Sequence, residues 1–526
     1  MTLVNGRVFQ ELFLLLTALF AISWAVIRAC VQSITIDEAD TYLLFVGRSA
    51  RFIWYPSSNN HVLNSMLMWI STCLLGTSSI TVRAPAILGT LVYICVCYFL
   101  CKYITNQFSL RLPLFLCLIY NPFLFDFMVA ARGYSLAMSF LLAAIAVPLW
   151  HREREGQPLT KSCMFASLFL GLSFSANFSF AFVDAAAFLA IAIWAYRRGG
   201  APILKACVLP GLFTVLLICG YPILRWHKRE LWYGATSLGQ MAQSIVQPSL
   251  FQLDPRFEKA GLYRVMNYLK PVLLPALGIL CACQLIVTRI DASWLGDARA
   301  RRLGRLASAL TAILALAIFT HWVGFRLFGL LLPLGRTAIY LVPFSTLIAG
   351  IIAAVPARSG AGLWLHRALV AAFFTLACYF LLCLRLTYFE EWKWDAEVKD
   401  VYPLLARYNH QDGVTDMGCS WYYTSTLNFY RAASGRETID EMKSGADPIP
   451  GKPVYVLHSV MDRKFIDREG LAIVYRGAST DIVVAVRPEA SLRPVTIEPC
   501  LSAPRVTSLP NCLPANPETS RQAEYD

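Results

Sequence analysis

Charge is scarce in this chain. Only 15% of its 526 residues are Asp, Glu, Lys or Arg, and 57% are hydrophobic. Soluble domains average about 25% charged and about 45–50% apolar residues. A soluble chain of this length would need more polar surface to cover it, so the excess apolar surface must face lipid. A C-x-x-C spacing is also missing, although there are 16 cysteines, which argues against a zinc or dithiol site. Thirteen of them precede residue 390, mostly inside apolar runs. Pairs such as Cys95/Cys97 and Cys281/Cys283 then read as small apolar residues of membrane helices. Cys419, Cys500 and Cys512 follow, and in an oxidising compartment they would allow one disulfide. No basic patch occurs outside the loops, which removes nucleic acid as a partner. No internal repeat of the transporter kind is visible.

The charges that are present are unevenly split. Residues 1–389 hold 31 Lys/Arg and 13 Asp/Glu, whereas residues 390–526 hold 15 and 20. Apolar runs long enough to span a bilayer occur at about 9–29, 84–103, 110–128, 134–150, 162–180, 181–196, 203–223, 270–289, 304–323, 337–355 and 365–385, giving about eleven transmembrane helices. The first run ends at Arg28 and lacks a small-x-small cleavage site, so it reads as an uncleaved span. The run 162–196 needs a break, which Asn177 supplies. His61 to Leu75 is apolar but too short to span. If it lies flat on the outer surface, the loops carrying Lys102/Arg111, Arg152/Arg154/Lys161, Arg197/Arg198/Lys205 and Arg289–Arg305 all fall inside, as the positive-inside rule asks. The first external loop is then 30–83, and a second is 224–269. The chain after 389 is external, with strand-like Val454–His458 and Ile482–Val486 and helix-like Trp394–Tyr408. The sequence thus predicts a mainly α membrane core (1–389), a small external α/β domain (390–487) and a Pro-rich, loosely ordered tail (488–526).

Charges not explained by inner loops gather at the outer interface. The first loop opens Ile36-Asp37-Glu38-Ala39-Asp40. Three acids can simply favour a helix start, or supply a general base at the membrane surface. Ser57-Ser58-Asn59-Asn60-His61 precedes the flat helix, where it can act as a cap. Arg132, in Asp126–Tyr134, is costly at a membrane boundary unless it pairs with Asp126, snorkels to headgroups or grips an anionic headgroup. Arg336 sits at the mouth of a late span behind Gly335, with Arg326 near it in sequence. Asp184 is a further intramembrane charge in need of a partner. In the external domain, Trp421, Tyr422 and Tyr423 suit a buried aromatic core better than a sugar-stacking surface.

In these residues the sequence resembles the C-type superfamily of integral membrane glycosyltransferases, with the protein mannosyltransferases and aminoarabinose transferases among the suggested relatives. The resemblance rests on Asp37-Glu38 just after the first helix and Asn60-His61 before an apolar helix. It rests equally on Ala131-Arg132-Gly133-Tyr134 and on Gly335–Tyr340 opening a late helix. It covers about three-quarters of the chain. It implies a polyprenyl-phosphate-linked sugar donor, a lipid, glycan or protein acceptor, and transfer at the outer face of a bacterial inner membrane. By family position Asp37 is the base and Glu38 the second choice. Arg132, Arg336, His61, Tyr134, Asn60 and Asp40 are expected near the substrate. Arg225, Lys228 and Arg229 either close over the lipid phosphate or face headgroups. No set of metal ligands is apparent, so no metal or other cofactor is expected. The rival expectations are a flippase of lipid-linked precursors, a glycan ligase of the same architecture and a non-catalytic scaffold.

Overall fold

A computed structural model describes residues 2–153, 158–226, 233–250, 261–296, 298–355, 358–435 and 438–488. Every apolar run named above is helical in it. The long helices are α1 (Thr2–Val31), then, beyond a short α2 (Ile36–Asp40) and α3 (Val62–Leu75), α4 (Ser79–Ile104), α5 (Phe108–Ile119) and α6 (Pro122–Val129). There follow α7 (Tyr134–Glu153), α8 (Leu159–Ala176), α9 (Ala181–Gly199), α10 (Leu204–Arg225), α11 (Leu238–Leu250) and α12 (Gly261–Ile290). A single turn, α13 (Ser293–Gly296), leads to α14 (Ala298–Phe328), α15 (Leu341–Ala354) and α16 (Gly360–Leu382).

Among the described residues, nine helices are long and apolar enough to cross a membrane. A tenth is the pair α5–α6, bent by 53°. The bend has a local cause: Asn121 caps α6 by accepting from the backbone N–H groups of Phe123 and Leu124, and Pro122 occupies its first turn, both of which restart a helix rather than continue one. The eleventh expected span, 270–289, falls in α12, whose apolar stretch among the described residues, Pro275–Ile290, is shorter than these candidate spans. The 162–196 run breaks at Asn177 as expected, where α8 ends and a one-turn helix intervenes before α9. With 14 residues, α3 is about 21 Å long, short of a hydrocarbon core of about 30 Å.

The α/β domain is built on a four-stranded sheet of β1 (Gly418–Cys419), β2 (Val454–His458), β3 (Ala472–Arg476) and β4 (Ile482–Val486), in the order β1-β2-β4-β3. The β1/β2 pair is parallel and the other two are antiparallel. The central strands β2 and β4 are buried on both faces, whereas the edge strand β3 alternates. One face packs Val454, Val456, Ile482 and Val484 against α17 (Val398–Asp412) and α18 (Trp421–Ser434). The other packs Tyr455, Leu457 and Val483 against α19 (Arg463–Arg468). Tyr423 is in the domain core, as expected, while Trp421 is half exposed and its ring stacks on Tyr422. Cys419 is a buried free thiol; Cys500, Cys512 and the 489–526 tail lie outside the described residues. This domain seats on the acid loop: the Phe429 ring of α18 meets Tyr42 edge-on at 5.3 Å.

Candidate active site

The site begins where α1 ends. The last carbonyls of a helix lack partners, and Arg83 of α4 caps the end of α1 and the turn after it: its Nη1 donates to Ala29 O (3.1 Å) and Gln32 O (2.9 Å), and its Nη2 to Ser33 O (2.6 Å). The same guanidinium grips Glu38 with two hydrogen bonds, Nε to Oε1 at 2.8 Å and Nη2 to Oε2 at 2.7 Å. Glu38 Oε2 also accepts from Thr35 N–H in a capping box, and Oε1 from Ala131 N–H at 2.8 Å. Both residues are fully buried. Burial raises the Glu38 carboxyl, and Arg83 with these N–H donors outweighs it, holding the group below the ordinary range. Glu38, the second choice of base, is thus engaged from both of its oxygens. Its lone pairs are engaged and solvent does not reach it, so it ties the acid loop to α4 and to the bend at Ala131 between α6 and α7.

Asp37, one residue earlier, faces the other way. Its Oδ2 lies 2.5 Å from Arg336 Nη1 and 3.9 Å from Arg132 Nε, and the side chain keeps 18% exposure. Burial alone would raise this carboxyl; Arg132, Arg336 and a hydrogen bond from Trp392 overcome it and hold Asp37 ionised. Arg132 is itself tightly placed. It donates to Thr41 Oγ1 at 2.6 Å, to Asp37 O at 3.2 Å and closely to Asn59 Oδ1. Gly133 makes the placement feasible: its φ is +74°, and a Cβ there would sit 2.1 Å from Ala176 O, so only glycine turns the chain at this point.

Arg336 follows Gly335, whose φ of +51° lets the chain break before α15. The segment is anchored by an antiparallel bridge between Ala235 and Leu332 and by Gly335 N–H donating to Ser244 Oγ at 2.7 Å. Arg336 Nη1 also bonds Glu391 Oε1 at 2.9 Å, and the guanidinium lies over the rings of Tyr233 (5.3 Å) and Trp392 (5.5 Å).

His61 sits just before α3, buried, its ring 5.9 Å from Tyr134. Neither ring nitrogen has a hydrogen-bond partner among the described residues. Burial, then Arg132 and Arg336, push its pKa well below the usual value, so it is neutral. Asp40 is raised by burial and by the Asp37 charge, with Ser425 of the α/β domain donating to it. Asn60, expected near the substrate, spends its side chain on its own loop. It is fully buried, donates to Ile53 O and Tyr55 O (both 2.9 Å) and accepts from Ser65 Oγ, which ties the loop; Asn59 is the one that touches Arg132. Asp126 pairs not with Arg132 but with Arg28 (2.6 Å) and Arg385 (2.9 Å), bracing α6 against α1 and the segment after α16. Arg326 lies over Trp322, and Asp184 accepts from Ser173 at 2.8 Å; neither joins the cluster. Arg225 ends α10, and Lys228 and Arg229 fall outside the described residues.

Beside Arg336 a cavity of about 340 Å³ is lined by Phe123, Phe127, Tyr233, Ser244 and Glu391, among others, within the range of small-molecule sites. Among the described residues no three His, Cys, Asp or Glu side chains converge to hold a metal ion. Arg83, Glu391, Trp392 and Tyr233 escaped sequence reasoning. The only signal that could have flagged Arg83 is a charge at the start of an apolar run.

No protein family and no curated protein sequence matches this chain. Among solved structures it is similar to apo ArnT from Cupriavidus metallidurans, with a TM-score of 0.51 and 11% identity over 94% of this chain and 100% of that one. The same protein bound to undecaprenyl phosphate gives 0.48 and 10% identity over 92% and 99% of the two chains. The apo Archaeoglobus fulgidus oligosaccharyltransferase gives 0.42 and 13% identity over 82% and 64%. The chain thus shares the fold of ArnT: a multi-pass helical membrane core followed by a small α/β unit, the architecture that the resemblance to C-type membrane glycosyltransferases implied.

Proposed function

We propose that this protein is a membrane glycosyltransferase that moves a sugar from a polyprenyl-phosphate donor to an acceptor hydroxyl at the outer face of a bacterial inner membrane. The observation that carries the reading is Asp37: an ionised, partly exposed carboxylate set between Arg132 and Arg336 at one end of a membrane bundle, where Arg336's neighbours Gly335, Tyr233 and Glu391 line a cavity of substrate size.

Each group then has a task. The donor's leaving group is already a phosphate, so departure needs charge stabilisation rather than a strong acid. Guanidinium grips phosphate through paired hydrogen bonds, and Arg132 and Arg336 are the cations at hand. Asp37 takes the proton of the acceptor hydroxyl. The acceptor oxygen forms a bond to the anomeric carbon as the bond from that carbon to the phosphate oxygen breaks. The electron pair leaves with the phosphate, and attack from the opposite face inverts the centre. His61, neutral and with both nitrogens unspent, and Tyr134 line the donor headgroup. A flippase would need the arginines and a lipid-facing groove, but not a reachable base.

The test uses membranes from a strain lacking the protein, complemented with wild type or Asp37→Asn and supplied with radiolabelled polyprenyl-phosphate sugars one at a time. Label should move to an acceptor with one donor, and the variant should lose about 10²–10⁴-fold of that rate. Folded wild-type protein that moves no label from any donor would overturn the reading.

A further inference from the structure

Arg336 is shared. A single nitrogen, Nη1, lies 2.5 Å from Asp37 and 2.9 Å from Glu391. Glu391 stands on the cavity side, its side chain 33% exposed, in the segment that leads from the membrane core into the α/β domain. A base that is to receive a proton cannot stay locked to a cation. A cation that is to bind phosphate cannot leave its site when the base releases it.

We propose that Glu391 is a positioning residue that keeps Arg336 at the cavity while the guanidinium passes from Asp37 to the donor phosphate, so that phosphate binding itself unmasks the base. The proposal rests on the transferase reading and deepens it. Before the donor arrives, the two carboxylates share one guanidinium nitrogen. When the phosphate arrives it is a third anion on Arg336, and the contact to Asp37, which unlike Glu391 is not among the residues lining the cavity, gives way. Glu391 restrains the arginine from the cavity wall, and Tyr233 and Trp392 hold the plane of the guanidinium from its faces. Proton and leaving group then end where the reaction needs them: the acceptor proton on Asp37, the phosphate on Arg336.

Among the described residues, charged and titratable groups from several elements surround this pair. Glu391 faces Arg336, Asp37, Asp126 and Arg132, with Tyr134 and Tyr233 beside it. Asp37 faces Arg132 and Arg336, with Asp40, Asp395 and Glu391 nearby. Removing Glu391's charge leaves Arg336 with Asp37 as its one close carboxylate and takes a negative charge away from the phosphate position. The two consequences have opposite signs: a more firmly masked base and a stronger anion site.

The experiment compares wild type, Glu391→Gln, Glu391→Asp and Arg336→Gln in detergent or nanodiscs. It measures binding of a polyprenyl phosphate without sugar, and separately kcat and KM with the labelled donor that wild type accepts. For Glu391→Gln the expected result is kcat about tenfold lower, with polyprenyl-phosphate binding unchanged or tighter by up to about tenfold. Glu391→Asp should recover part of the rate, and Arg336→Gln should lose binding. Weaker binding and slower turnover together in Glu391→Gln would mark Glu391 as structural support and overturn the proposal, as would no change in either. Wild type that binds the lipid but transfers no sugar would overturn the transferase reading instead. The binding comparison would then decide alone: unchanged or tighter binding in Glu391→Gln upholds the sharing of Arg336, and weaker binding overturns it.

Discussion

At the back of the acid loop Glu38 meets Arg83, and at its front Asp37 meets Arg336. Both are carboxylate–guanidinium pairs, one residue apart in sequence, and both carboxyls are held ionised against burial. The back pair is sealed: Glu38 has four hydrogen bonds to Arg83, Ala131 and Thr35, and neither partner is exposed. The front pair keeps some exposure and shares its cation with a second acid, Glu391, which lines the cavity. On the proposed transferase reading, what separates structure from chemistry is whether the ion pair can exchange a partner, not the strength of the charge. A saturated pair makes the loop rigid; an under-saturated one leaves room for a substrate.

The comparison can be broken first at its back. Glu38→Ala leaves Arg83 buried and unpaired and should cost about 3–5 kcal/mol of stability, read as loss of folded protein or a lowered Tm in detergent. A Glu38→Ala protein of wild-type stability would show that the back pair carries no structural weight. At the front, Arg336→Lys keeps the charge and loses the fork that grips phosphate. It should lower kcat/KM for the lipid-phosphate donor by about 10²-fold while leaving the Tm near wild type. His61 offers a smaller and pH-dependent effect. Its folded-state pKa is depressed by burial and by two arginines, so below about pH 6.5 the unfolded chain takes up a proton that the folded one refuses. Stability should therefore fall as the pH is lowered through that point, by up to about 1.4 kcal/mol per pH unit, and His61→Gln should flatten that slope in thermal unfolding. The smallest effect belongs to Asp40, which meets Ser425 of the α/β domain. Asp40→Asn should change turnover by less than about fivefold, and a loss as large as that of Asp37→Asn would move the base assignment.

The bundle was legible because its signal is local: eleven apolar runs and a break at Asn177 are written in consecutive residues. Asp37, Arg132 and Arg336 were legible for a different reason. Each is an interfacial charge left without a role once the inner loops are accounted for, and the structure gathers all three within one cluster. The partners of the other charges were not legible. Arg83 reaches Glu38 across 45 positions, and Arg385 reaches Asp126 across 259, distances at which no periodicity or spacing speaks. Asn59 and Asn60 show the finest limit. Adjacent and chemically identical, they are told apart only by the turn that aims one at Arg132 and the other at the backbone carbonyls of Ile53 and Tyr55. Glu391 was hidden by the expected domain border at 389/390, which assigned it to the external domain although it closes on a membrane-core arginine.

The most direct test sets the two neighbours side by side. Purified Asp37→Asn and Glu38→Gln are each measured for thermal unfolding and for single-turnover transfer from the labelled polyprenyl-phosphate sugar that wild type accepts. The account predicts that Asp37→Asn keeps the wild-type Tm and loses about 10²–10⁴-fold in rate, while Glu38→Gln lowers the Tm and keeps most of its rate in whatever fraction remains folded. A stable, inactive Glu38→Gln beside an active Asp37→Asn would contradict it.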